Sequence, residues 1–256
     1  MLRQFVVIIS LFFLSPSVYA IVNLEDLHLG TAKPGLSGNF NFSIDGAKGN
    51  VERLHGSLGS RLQWFNQDVL HFLTLNYAYG KSFEQIDRDK AFLHVRRIAP
   101  VLSVLDWEIF SQLESNHFTR LQLRALAGGG LRFKLRDVEE RFAFFFGTGS
   151  FYSIERLTVD QDTSDAREER FFRANLYGVL QLKLGNFISF LSTTYYQPRL
   201  DQIDDFRLLE DMGFNFSIGR SMKIRLAVEM AHDNHPPQNV TQKTDIHYST
   251  RIFYSF

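Results

Sequence analysis

The residue types that could do chemistry gather in three short stretches of this 256-residue chain. Gly128-Gly129-Gly130 suggests a phosphate-cradling loop. No Lys-Ser/Thr follows it and no strand-to-helix pattern surrounds it, so the glycines read as a bend or bulge within a strand. His232, Asp233 and His235 bring imidazole and carboxylate together, a donor set that suits zinc or copper. Asp201, Asp204 and Asp205 lie in the preceding polar stretch. On a Pro-rich loop this spacing is not that of ligands on a rigid element, and the cluster reads as a solvated loop. Ser115-Asn116-His117 holds the residue types a barrel phospholipase needs, a His, a Ser and an orienting Asn. Their order does not match the His-x-Ser-Asn-Gly pattern of those enzymes. The expectation is a protein that is not an enzyme and uses no cofactor or metal.

The most usable chemistry is charge placed deep inside alternating segments. Glu108, Glu114, Arg124, Arg132, Arg173, Lys183, Lys223, Arg225, Glu229 and Arg251 are the lumen-lining candidates. Facing one another across a barrel, they could tune the passage of small ions or solutes. They could equally pair and fill a closed barrel, because small barrels are often packed shut while those of 16–18 strands are open.

Elements that could position such charges must be strands. The formal net charge is +0, from 28 basic and 28 acidic residues, so no net field points to nucleic acid. Cysteine is absent, which excludes disulfides, zinc-thiolate sites and a cysteine nucleophile. The chain holds 26 Phe, 9 Tyr and 2 Trp, yet its mean hydropathy is slightly negative at -0.14. Many large rings with no average hydrophobicity suit a structure that is apolar on one face and polar on the other.

Met1–Ala20 reads as a cleaved signal peptide. Arg3 supplies the positive start, Phe5–Leu14 the apolar stretch, and Ser15-Pro16-Ser17 the break before Ala20. The apolar stretch is too short for a spanning helix, and nothing later approaches the required length. The mature chain, 21–256, must therefore be soluble or cross a membrane as strands.

Period-two alternation recurs along it. Ile246, Tyr248, Thr250, Ile252, Tyr254 and Phe256 share one face, opposite Asp245, His247, Ser249, Arg251 and Ser255. Met222, Ile224, Leu226, Val228 and Met230 oppose Lys223, Arg225 and Glu229. Phe172 to Leu184 oppose Arg173, Asn175, Tyr177, Gln181 and Lys183. Leu131, Phe133 and Leu135 oppose Arg132 and Lys134. Weaker alternation appears around Phe40–Ile44, Leu54–Leu62, Leu73–Tyr79, Ala91–Ala99 and Leu105–Glu114. Leu70 and Phe72 blur the parity of their segment.

About 12 strands result. Short turns are expected at Asn66-Gln67-Asp68, Ala99-Pro100, Asp137-Val138-Glu139, Gly185-Asn186 and Gly219-Arg220-Ser221. They should alternate with longer outer loops at Gly80–Lys90, Ser153–Glu169, Gln197–Asp205 and His232–Lys243, with Gly46–Gly49 and Ser115–His117 as short exceptions. That alternation marks outer-membrane barrels. Trp64, Phe65, Tyr195, Tyr196 and Tyr254 are candidates for the aromatic girdles. Tyr254 and Phe256, in phase at the end of the last strand, resemble the assembly signal read by the barrel-assembly machinery.

Two stretches carry a family resemblance. Glu108–Arg136 has a glutamate-bearing strand, an Asn-x-Phe turn and an Arg-rich strand running into a Gly-rich Leu-Arg-Phe segment. His232–Tyr248 has a Pro-Pro pair, then Lys-Thr-Asp before the last strand. Both resemble the domain of unknown function 481 family, also called the salt-stress-induced outer-membrane protein family. The resemblance implies an outer-membrane barrel and no established activity.

The expectation is thus an all-β antiparallel transmembrane barrel of about 12 strands in the bacterial outer membrane, behind a signal peptide. Its partners would be membrane lipid, the assembly machinery and small ions or solutes, with no nucleic acid. The favoured function is a narrow channel or a structural barrel. The alternatives are a surface interaction or metal-binding barrel acting through its loops and, more distantly, an outer-membrane hydrolase.

Overall fold

The computed structural model describes residues 34–49, 52–136, 141–158, 166–219, 221–240 and 242–255. The expected signal peptide and Phe256 lie outside the described residues.

Twelve antiparallel strands follow one another around a closed barrel: β1 (Gly35–Ala47), β2 (Arg53–Asn66), β3 (Val69–Ser82), β4 (Gln85–Leu102), β5 (Leu105–Asn116), β6 (Leu121–Arg136), β7 (Phe142–Leu157), β8 (Glu168–Lys183), β9 (Ile188–Pro198), β10 (Phe206–Ile218), β11 (Met222–Asp233) and β12 (Thr244–Ser255). Each strand pairs with its sequence neighbours, and β12 closes on β1.

The alternation in the sequence becomes two surfaces. Phe42, Ile44, Leu54, Ile109, Leu135, Phe172, Leu226, Tyr248 and Ile252 point outward and are exposed. Arg96, Glu108, Arg132, Arg173, Asp211, Arg225 and Glu229 point inward and are buried. A soluble barrel would bury the first set and expose the second. A sheet turned inside out in this way is stable only with hydrocarbon outside, where closure satisfies the backbone donors and acceptors. The fold is that of a transmembrane β-barrel.

The ends differ. The connections after β2, β4, β6, β8 and β10 form the turn side, and those after β1, β3, β5, β7, β9 and β11 the loop side. Two expectations shift here. Gly80–Lys90 is not a long loop: β3 and β4 continue to a two-residue turn at Phe83-Glu84, with φ of 49° and 64°. Tight hairpins need positive φ at both central residues, usually supplied by Asn-Gly, and Phe-Glu gives no such signal. Ala99-Pro100 is not the turn before β5, because β4 runs on to Leu102. Pro100 sits where the register shifts, so the ladder does not need its missing N–H.

The triple glycine is also not a bulge. Gly128, Gly129 and Gly130 pair without a break against Phe110, Ile109 and Glu108 on one side and Phe151, Ser150 and Gly149 on the other. A Cβ at Gly128 would lie 2.4 Å from the Ser150 carbonyl oxygen. Without one, the Phe110 and Phe151 rings meet edge-on across β6, with centroids 6.3 Å apart.

Outside, near the turn side, Trp64 stacks on His71 at 5.2 Å and the Arg97 guanidinium lies 5.4 Å from the Trp107 ring. Both tryptophans thus stand where a membrane interface would hold them. Tyr196 is also outward. Phe65 and Tyr195 do not belong to a girdle: Phe65 packs inside against Leu70, Phe72 and Ile98, and Tyr195 against Tyr177. Each neighbours an outward aromatic in sequence, so one of each pair had to turn inward. Leu70 and Phe72 blur the parity of β3 because they fill the lumen.

Candidate functional site

The turn-side half of the lumen is packed with side chains. Phe145, Val179, Leu191, Ala143 and Tyr177 form one apolar cluster, and Leu70, Phe72 and Ile98 another. Arg225 and Asp211, both fully buried, pair at 2.6 Å. Arg132 lies 4.1 Å from the Phe145 ring centroid, and the Lys134 ammonium meets Asp106 at 2.6 Å. Arg251 pairs with Glu229.

Midway, Arg96, Glu108 and Tyr177 lock together across the barrel. Tyr177 Oη donates to Glu108 Oε2 at 2.8 Å, and Arg96 donates to both partners. Gly147, opposite Tyr177 in register, makes room for that ring, since a Cβ there would lie 1.9 Å from it.

Above this floor, on the loop side, lies a chamber of about 160 Å³. Phe92, Phe110 and Phe151 form its apolar wall, together with Tyr195, Leu126 and Leu209. Its charges form a chain in which two guanidiniums bridge three carboxylates. Glu155 accepts from Arg124 at 2.8 Å and from Arg207 at 2.7 and 3.0 Å. Arg207 Nε also donates to Asp233 at 2.9 Å, and Arg124 to Glu114 at 3.0 Å. Arg124, Arg207 and Glu155 each share two opposite partners, which offsets their removal from water.

Pro236, Pro237 and Val240, from the β11–β12 loop, contribute to the chamber's loop-side lining. Arg120 ties three loops together over it, donating to the carbonyls of Gln238 at 2.6 Å and Thr158 at 2.9 Å from its place after β5. Asn234 Nδ2 donates to the Asp204 carbonyl at 2.7 Å, joining the β11–β12 and β9–β10 loops. Beneath the β9–β10 loop, Arg173 of β8 and Arg199 of the loop both lie over the Phe171 ring, and Asp205 pairs with both. Arg199 donates to Asp201 at 2.8 Å and holds that carboxyl below the usual carboxylate range.

All ten charged residues singled out in the sequence lie on inward-facing strand positions, but in different places. Glu114 and Arg124 touch at the chamber, and Glu108 lies in its floor. Arg132, Arg225, Glu229 and Arg251 belong to the packed half, each with its own partner. Arg173 sits under the β9–β10 loop, while Lys183 and Lys223 stand half-buried near the turn side. Tyr254 pairs in register with Phe40 and Met222. The sequence alone does not single out Arg96, Glu155, Arg207 or Asp211, and it marks Tyr177 as inward without a role. Glu155 falls in the stretch expected as the Ser153–Glu169 loop, but β7 runs to Leu157. Alternation around Met212, Phe214 and Phe216 would have turned Asp211 inward.

His232, Asp233 and His235 do not converge on a metal site. Asp233 is held by Arg207 and by the His235 backbone N–H, while His232 Nδ1 bonds Thr244. Among the described residues, no group of three or more His, Asp or Glu is placed to hold an ion.

Fold and lumen together define a membrane-spanning β-barrel with a filled turn side and a loop-side chamber. The chain belongs to the family described as "Protein of unknown function, DUF481", whose model matches residues 40–256. No curated protein matches it. Two solved structures are similar in outline. The translocator domain of the autotransporter NalP from Neisseria meningitidis is 11% identical, with a TM-score of 0.48, over 89% of this chain and 91% of that one. The beta domain of the Bordetella autotransporter BrkA is 10% identical, with a TM-score of 0.40, over 86% and 97%. Likeness at this level carries no inference about what the chain does.

Proposed function

We propose that the chain is a bacterial outer-membrane barrel, exported behind its signal peptide, that is closed to solute flow and presents a chamber and its loops to the outside. It has no catalytic role. The observation that carries this reading is the inverted sheet, with exposed Leu, Ile and Phe outside and buried, paired Arg, Glu and Asp inside. The packed Phe72, Phe145, Val179, Leu191 and Arg225–Asp211 group supports the closed branch over the channel. Assembly would proceed through the machinery that reads the last strand, and Tyr254 and Phe256 are the residues to alter.

Expression of the full chain in a Gram-negative host tests the placement. The mature chain should fractionate with the outer membrane and migrate on gels with a mobility that changes on boiling. Recovery in the soluble periplasmic fraction would overturn the reading.

A further inference from the structure

We propose that the loop-side chamber is a binding site for a small uncharged molecule with one ring and a hydroxyl group, a phenol-like ligand. Three observations carry this.

The first is size and wall. A cavity of about 150 Å³ accepts one benzene-sized ring, and this chamber, at about 160 Å³, offers Phe92, Phe110 and Phe151 as ring-stacking partners.

The second is charge. Arg124, Arg207, Glu155, Glu114 and Asp233 are committed to one another. A charged ligand pairing with any of these five would break that network and leave a buried ion unpaired, whereas a neutral one leaves it intact.

The third is an unmet hydrogen bond. His94 lines the chamber between the Phe92 and Phe110 rings and is over nine-tenths buried. Gln112 Nε2 donates to Glu114 at 3.2 Å, which orients its Oε1 towards His94 Nδ1 at 3.3 Å. In the neutral ring, Nδ1 therefore carries the proton and Nε2 keeps its lone pair. Nε2 is buried without a partner, and buried polar atoms seldom stay so. Elsewhere on the lining, Gln197 Nε2 donates to Asn175 Oδ1 at 2.9 Å. A hydroxyl supplies the donor that the imidazole Nε2 lacks.

The test uses phenol and toluene, equal in shape and differing only in the hydroxyl, with the refolded mature chain in detergent. Binding is read from NMR shifts of the chamber's aromatic rings, which partition into micelles does not produce. The phenol-to-toluene affinity ratio of the wild type should exceed that of His94→Phe about tenfold, the worth of one buried hydrogen bond. Ala231→Phe, which puts a ring into the chamber from β11, should abolish binding of both, and boiling-dependent gel mobility checks that each variant folds. An equal ratio in wild type and His94→Phe would overturn the role of the imidazole. No shift with either probe, or full binding by Ala231→Phe, would overturn the site. The result is independent of conductance, which reports separately on closure.

Discussion

The wall built from β7 and β8 and the seam where β12 meets β1 are the same kind of structure built to opposite standards. β7 and β8 stay in register from Phe142 opposite Leu182 to Arg156 opposite Glu168. At the seam, the described residues show only Asn39 opposite Ser255 and Phe40 opposite Tyr254. The inward faces differ to match. β7 and β8 send Phe145, Phe151, Tyr177, Val179 and Arg173 into the lumen, all buried. β12 sends Asp245, His247, Ser249 and Arg251, all half-exposed. Large inward rings and shared ions need neighbours at fixed distances, so packing and pairing reinforce each other. Among the described residues, only Arg251 of these β12 groups is fixed by an ion pair, to Glu229 on β11 rather than across the seam, and the ladder joins β12 to β1 through two residue pairs.

The contrast predicts where substitution should hurt. Asp211→Asn leaves Arg225 buried without its counter-charge and should cost about 3–5 kcal/mol in urea unfolding from lipid. A loss below 1 kcal/mol would mean that water reaches the pair. Leu191→Ala opens a cavity among Val179, Phe145 and Tyr177 and should cost about 2–5 kcal/mol. On the seam side, Ser249→Ala should stay within about 0.5 kcal/mol; a larger loss would show that this face is packed as well.

The seam itself can be probed covalently, because the chain has no cysteine to interfere. Asn39→Cys with Ser255→Cys, opposed in register, should cross-link on oxidation, whereas Asp45→Cys with Ser249→Cys, which continuation of that register would oppose, should not. Equal cross-linking in both pairs would show a seam zipped along its length.

The smallest effect belongs to the exposed Arg199–Asp201 contact. Asp201 has a lowered pKa because Arg199 hydrogen-bonds its charged form. Its contribution is therefore fully present above its ordinary value near 3.8 and is lost as the pH falls through the lower folded value. Asp201→Asn should leave stability at neutral pH nearly unchanged and slightly flatten its decline in acid, measured by thermal unfolding across that range.

The same contrast governs what could be read in the sequence. The strands around Lys223–Glu229 and Asp245–Arg251 were legible because the lipid-facing and lumen-facing sets do not mix. The turn at Phe83-Glu84 was not, because neither residue signals positive φ. Nor was the fate of Phe65 and Tyr195, since an aromatic serves equally well outside in lipid or inside as filling. The inward charges were visible as a set, but their partners were not. Arg96 meets Tyr177 across 81 residues, and Glu155 meets Arg207 across 52. Those pairings depend on barrel curvature and strand register, which periodicity alone does not encode. The chamber followed from a further detail of that kind, a glycine at 128 that lets two rings from non-adjacent strands touch.

Single-channel recording of the refolded mature chain in a planar bilayer tests the closed lumen most directly. A turn side packed by Phe72, Phe145, Leu191 and the Arg225–Asp211 pair predicts a quiet membrane even where gel mobility shows the barrel folded. Reproducible conductance steps, shifted in ion selectivity by Arg225→Glu, would contradict it and show an open lumen.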